Sequence, residues 1–179
     1  MAKNIFMIAR PATGAPAVFN QTTDPFFKGW NAFELMSFNL GSTNPTTIGG
    51  TGVGAGKISF SPFTFTKQAD MNSAVFLRYC ATGAHFDRIT IYVTAPSSAG
   101  GQETTTQIYT LGLVFVTSIV NEITSGDDVI TESITMAYGQ LQQRVITFSP
   151  TGLRTGFVEN TWDLTANNLW VPPALDGPG

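Results

Sequence analysis

One cysteine, Cys80, and one histidine, His85, are all that this chain of 179 residues holds of either type. A single thiol cannot close a disulfide within the chain, so no disulfide framework and no redox compartment can be read from it. One thiol and one imidazole also fall short of the four ligands of an ordinary structural zinc site, and no metal is expected. Charge is scarce: charged residues make up 12% of the chain, against roughly 25% in average soluble domains. The nine Lys and Arg residues form no run, and the net charge is −3. That balance excludes sequence-independent nucleic-acid binding, whose affinity comes from basic patches facing phosphates. No apolar run approaches the ~20 residues of a membrane-spanning helix, so no membrane insertion is expected. The apolar stretch in "MAKNIFMIAR" is too short for a signal-peptide core, which makes the cytoplasm the expected starting compartment.

In place of charge the chain carries Thr, Ser, Asn, Gln and Gly beside 42% apolar residues. A surface so poor in charge suggests cover by partners. Its length fits one domain over 1–179 by the usual prior of ~100–200 residues, with 168–179 an irregular, Pro- and Gly-rich tail.

The densest local signal is "GGTGVGAGKISFSPFTFTK", with five glycines between Gly49 and Gly56. A phosphate-cradling loop of the form G-x-x-x-x-G-K-[ST] needs glycine where Thr51 stands and a hydroxyl where Ile58 stands. Gly50 to Ala55 fit the looser G-x-G-x-x-A dinucleotide pattern, but that pattern works only where a helix follows to receive the pyrophosphate. Here Ile58 and Phe60 alternate with polar residues, and Phe63 and Phe65 alternate in the opposite phase beyond Pro62. Period-two alternation is a strand, and the slip at Pro62 marks a bulge or corner. The glycines are therefore expected to form a flexible arm feeding a strand, with no nucleotide or other cofactor.

Elsewhere "NIFMIA" predicts a first strand, and residues 10–29, with Pro11, Pro16 and Pro25, a long loop. "WNAFELMSFNL" predicts a second strand with Phe33, Leu35 and Ser37 on one face, and 41–55 a long loop. One helix is expected within "QADMNSAVFLRYCATG": Ala74, Leu77, Cys80 and Ala81, with Val75 and Phe76, give its apolar face, Asp70 or Ser73 its N-cap and Gly83 its left-handed end. "FDRITIYVTA" places Ile89, Ile91 and Val93 on one face. A long apolar strand follows in "TQIYTLGLVFVTSIV", then a turn at "TSGDDV". "VITESITMAY", with Ile130, Ile134, Met136 and Tyr138 on one side, and "QQRVITFS" are expected as two strands about a Gly139–Gln140 turn. The fold class is mainly β: a β-barrel of two antiparallel sheets with one helix on its side and an extended Gly-rich loop.

Chemistry has little to work with. Cys80 and His85 would need mutual hydrogen-bond reach and a third orienting group to act as nucleophile and base. A helix-face Cys80 is expected to be an inert thiol, and His85 to pack or cap past the helix. Asp127 and Asp128 lack the surroundings of a calcium loop and read as turn residues. Trp162 reads as a core aromatic and Asp163 as a capping or turn carboxylate. No catalytic constellation assembles.

"GAGKISFSPFTFTK", Asp70 and "FLRYCATGAHFDRITIYV" together resemble the haemolysin-coregulated protein (Hcp) family, the tube subunit of type VI secretion systems. The matching positions are Gly56, Lys57, Phe60, Phe65, Thr66, Lys67, Asp70, Leu77, Cys80 and Gly83, continued by Trp162, Asp163 and Asn167 in "TWDLTANN". The sequence departs from that pattern at Phe38 and Leu40, where the family often has tryptophans, in residues 10–29, and past Asn168.

The resemblance implies homohexameric rings that stack into a tube, with sheath, baseplate and spike-tip proteins as partners and effector proteins in the lumen. It implies a protein exported from the bacterial cytoplasm on firing, to the extracellular space or a target cell, without a signal peptide. It also makes Gly49, Gly50, Thr51, Gly52, Val53, Gly54, Ala55 and Gly56 a ring-stacking loop. The alternatives are the tail tube of a phage or extracellular contractile particle, and a monomeric β-sandwich binding module. An enzyme is not expected.

Overall fold

Alternating β-branched and aromatic residues dominate the chain, and they form strands wherever one face can be buried. In the computed structural model, which describes residues 3–49, 52–96, 103–123, 125–126 and 128–178, twelve strands and one helix succeed one another. They are β1 (Asn4–Pro11), β2 (Ala32–Glu34), β3 (Ser37–Asn39), β4 (Ser42–Thr43), β5 (Thr46–Gly49), β6 (Gly52–Ala55), β7 (Ser59–Phe60), β8 (Phe63–Gln68), α1 (Met71–Thr82), β9 (His85–Pro96), β10 (Glu103–Glu122), β11 (Thr131–Phe148) and β12 (Arg154–Asp163). Eight strands make one antiparallel sheet in the order β2-β1-β9-β10-β11-β8-β3, with β12 also on β11. Two small ribbons, β4–β7 and β5–β6, complete the set. The mainly-β, one-helix barrel architecture is borne out.

The sheet curls because its long strands reverse phase along one line. On β11, Ile134, Met136 and Tyr138 face the core on one side of Gly139, and Leu141 faces it on the other. On β10 the change falls at Leu113, between Leu111 and Val114, and on β9 between Phe86 and Ile89. Leu113 takes φ 52°, and the backbone oxygen of Gly139 accepts a hydrogen bond from the Leu164 amide. β11 changes neighbour at the same line, pairing with β8 over Thr131–Met136 and with β12 over Gln140–Phe148. The sheet thus turns a corner without breaking and folds its two halves over a common core.

That corner corrects the Gly139–Gln140 turn expected from sequence: β11 is one continuous strand, and the phase reversal only resembled a chain reversal. Three further corrections have equally local causes. The expected second strand is split at Leu35–Met36, because β2 pairs with β1 whereas β3 pairs with β8. The 41–55 segment is not an irregular loop but carries β4, β5 and β6. Of the expected face the helix buries Phe76, with Val75 and Cys80 half-buried against the core, but Asn72 and Tyr79 complete the buried side, leaving Leu77 61% exposed and Ala74 and Ala81 exposed. The aromatic side chains decide which face turns inward, since each buries more area than Ala or Cys.

The helix ends follow expectation. The Asp70 side chain accepts from the Asn72 amide at 2.7 Å, Ser73 Oγ accepts from the Asp70 amide at 2.9 Å, and Gly83 closes the helix at φ 68°. Phe76 meets Phe33, Phe65 and Phe86, and Tyr79 stacks on Phe86 at 4.0 Å. A second apolar cluster of Phe6, Ile8, Phe27, Ala32, Tyr92 and Ile108 lies on the outer face of the sheet, with Leu175 of the C-terminal segment packed against it.

Candidate functional site

The glycine-rich segment forms an arm whose foot is fixed and whose far half pairs only with itself. At the foot β4 pairs with β7, the Ser61 amide donates to Gly41 O at 2.8 Å, and Phe60 stacks on Tyr138 at 5.1 Å. Burial pushes the Tyr138 hydroxyl up to about 12, so it stays protonated at any ordinary pH. The chain then closes on itself where the Gly56 amide donates to Pro45 O at 2.9 Å. Beyond that point β5 and β6 pair in register, Thr46 with Ala55 through Gly49 with Gly52, and join no other strand. Gly50 and Thr51 lie outside the described residues.

Glycine has a definite task at the neck of this arm. A Cβ on Gly56 would sit 2.7 Å from Pro45 Cγ and closer still to Pro45 O. Only a bare backbone lets the two limbs approach so closely. A strand, β7, follows Gly56 and Lys57 where phosphate binding requires a helix. Beside the neck, Asn44, Gly56, Lys57, Ile58, Trp162 and Asn167 line an open cleft of about 510 Å³. Trp162 is half-buried there, at the rim of the molecule rather than in its core.

The remaining family-motif residues gather at the other end of β8. Lys67 is fully buried and faces Glu132, its register partner on β11, at 2.7 Å and Asp70 at 2.7 Å. Glu132 is buried as well and accepts from Ser73 Oγ at 2.9 Å. The N-cap of α1 is thereby tied to the β8–β11 pair. Glu132 was not singled out from sequence, although a signal existed: it holds a core-facing phase with Ile134 and Met136, where an acid is expected only beside a cation.

Asp163 caps the turn after β12, as expected. Its carboxylate accepts from the Thr165 hydroxyl at 2.6 Å, the Ala166 amide at 2.9 Å, the Gln140 side chain at 2.7 Å and the Thr165 amide at 2.8 Å. These bonds, led by the Thr165 hydroxyl, outweigh partial burial and draw its pKa down to about 2. A folded-state value below that of an unfolded aspartate stabilises the fold above about pH 4, and the contribution is lost as pH falls through about 2. The difference in melting temperature between wild type and Asp163→Asn is expected to shrink across that window. A difference independent of pH would show that the carboxylate charge has no part in it.

Cys80 and His85 do not make a catalytic pair: His85 begins β9, stacks on Phe115 at 5.3 Å and has Asp87 at 3.7 Å. Asp128 is exposed in the β10–β11 turn, and Asp127 lies outside the described residues. Among the described residues no three His, Cys, Asp or Glu side chains are grouped to hold a metal. No described helix is long and apolar enough to cross a membrane. Apolar side chains are exposed on the edge strand β12, at Phe157 and Val158, and near the β10–β11 turn, at Val120, Ile123, Val129 and Ile130.

This fold has relatives among solved structures. A structure described as a type six secretion system protein superposes with a TM-score of 0.80 at 22% identity, covering 93% of this chain and 99% of the other. Hcp1 from Salmonella typhimurium gives 0.68 at 19% identity, covering 95% and 100%. Hcp3 from Pseudomonas aeruginosa, a secreted protein, gives 0.60 at 15%, covering 90% and 98%. At such identities the likeness speaks for the fold. No curated protein matches in sequence. The family model described as "Type VI secretion system effector, Hcp" matches residues 21–145, from the loop before β2 through most of β11. With that match over most of its length, the chain belongs to the Hcp family of type VI secretion system effectors.

Proposed function

We propose that this protein is the tube subunit of a type VI secretion system, closing into homohexameric rings that stack and carry effectors in their lumen. The family match over residues 21–145 carries the reading. The structure supports it with a hairpin arm that pairs with no other part of its own sheet, and with exposed apolar residues along an edge strand. Unpaired edges and exposed apolar strips are liabilities in a monomer and become interfaces when copies meet. Heterologous contacts close into rings where the rotation permits, and they extend into filaments where it does not.

In this reading the segment from Gly49 to Gly56 is the stacking element, and the protein has neither catalytic activity nor cofactor. Sheath, baseplate and spike-tip proteins are its partners, and it passes from the cytoplasm to the exterior when the system fires. Light scattering on the eluted protein is expected to give about six subunit masses, although the closure rule admits other ring sizes. A monomer at micromolar concentration would overturn the proposal.

A further inference from the structure

The last residues of the chain form a strap across the outer face of the sheet. It leaves the end of β12 through the Asp163–Asn168 bridge and is anchored at two places. At the first, Trp170 packs over Gly112, where an added Cβ would lie 3.1 Å from the indole. At the second, Leu175 enters the outer apolar cluster, and the Asp176 carboxylate is gripped by Arg88 through Nε and Nη2 and by Arg10 Nη1 at 3.2 Å. The Tyr92 hydroxyl donates to Asp176 O at 2.6 Å. Gly177, at φ 121°, passes so close that a Cβ would stand 2.5 Å from that hydroxyl. An apolar pocket, a two-arginine clamp and a glycine-only crossing together select Leu-Asp-Gly.

Beside that apolar cluster, the face under the strap carries a polar strip. The register places Thr90 and Thr110 opposite each other, with Gln142 beside Thr110 and Arg88 one row away. All four are buried, and Thr90 Oγ1, Thr110 Oγ1, Gln142 Oε1 and Arg88 Nη1 have no hydrogen-bond partner among the described residues of the chain. Buried polar groups are nearly always paired, so a permanently covered face would be expected to carry aliphatic side chains here. Lifting the strap returns these groups to water, which makes release cheaper. Between the anchors the strap is loosely held: Val171 is 88% exposed, and Pro173 and Ala174 are exposed beyond it, with Pro172–Pro173 a stiff pair.

We propose that the strap is exchanged between copies, so that in the assembled protein residues 169–178 of one subunit occupy the Arg10–Arg88–Tyr92 seat of its neighbour. The strap starts at β12, the edge strand whose exposed Phe157 and Val158 mark it for contact with another copy. The contacts of the seat itself are made with residues 175–177 alone, so an identical Leu-Asp-Gly from a neighbouring copy meets the same groups. This inference rests on the ring assembly proposed above.

Asp87 and Pro173 line the same cleft beside Arg10 and Arg88 and supply the test. The full chain carrying Cys80→Ser, Asp87→Cys and Pro173→Cys is bridged with a short bis-maleimide and run on a denaturing gel, its assembled mass being checked by light scattering. Exchange predicts a ladder of covalent multimers that is lost from both single-cysteine controls and on adding Asp176→Ala. An assembled sample with only intrachain bridges, or with none, overturns the exchange and leaves the ring standing. A mass of one subunit overturns the ring, and the exchange with it.

Discussion

Replacing Lys67 by methionine is expected to be the most damaging single change in this fold. The substitution leaves Glu132, itself about 1% exposed, as a buried carboxylate without its cation. Removing one partner of a buried pair costs about 3–5 kcal/mol, because the remaining charge is neither solvated nor neutralised. Against the ~5–15 kcal/mol that holds a typical domain together, that is a large fraction. For a chain of this length it lowers the melting temperature by about 6–20 °C. The double substitution Lys67→Met with Glu132→Leu is expected to recover most of the loss, since two matched apolar groups leave nothing unpaired. Chemical denaturation of the three proteins tests both statements. An unchanged midpoint in the single variant, or a double variant no better than the single, would show that the pair is not what couples β8, β11 and the helix cap.

Deleting the arm is expected to do the opposite: to spare the fold and abolish the assembly. Because β5 and β6 pair only with each other, they must be removed together as residues 46–55. The Gly56 amide already meets Pro45 O, so the cut ends are neighbours and a short glycine linker rejoins them. The stability of the barrel should change by no more than roughly 0.5 kcal/mol, as for other exposed segments away from the core. If the arm stacks rings, electron microscopy of the shortened protein will show single rings where the wild type shows tubes, and export will fail. Shortened rings that still stack would remove the arm from the assembly mechanism. In parallel, a calorimetric titration of the intact protein with ATP and NAD is expected to show no binding. Heat of binding in either titration would revive the nucleotide reading.

How much of this was legible beforehand depended on whether a residue's task is local. Asp70 and Gly83 cap the helix by bonding to backbone within four residues of themselves, so the local pattern placed Gly83 and narrowed the N-cap to Asp70 or Ser73, which turn out to share the capping box. Asp163 binds the turn two and three residues on, and its role was equally plain. The slip of alternation at Pro62 does separate β7 from β8. The same kind of slip at Gly139 misled, because a reversal of phase looks alike whether a strand turns back or a whole sheet bends. Only the neighbours tell the two apart, and Leu113 at φ 52° on β10 is such a neighbour.

The amino-acid sequence by itself determined the β class, the one capped helix and the segment that departs from the barrel. Each follows from periodicity, capping chemistry or composition, which act over a few residues or over the whole chain at once. Tertiary structure alone decided that Gly56 is required by contact with Pro45, that Lys67 lies buried against Glu132, and that Asp176 crosses the sheet to reach Arg88. Those pairs are separated by 11, 65 and 88 residues. No local pattern encodes such a meeting: it exists only once the curled sheet has brought the partners within hydrogen-bond reach, where the cost of a buried charge or an added methyl group first arises.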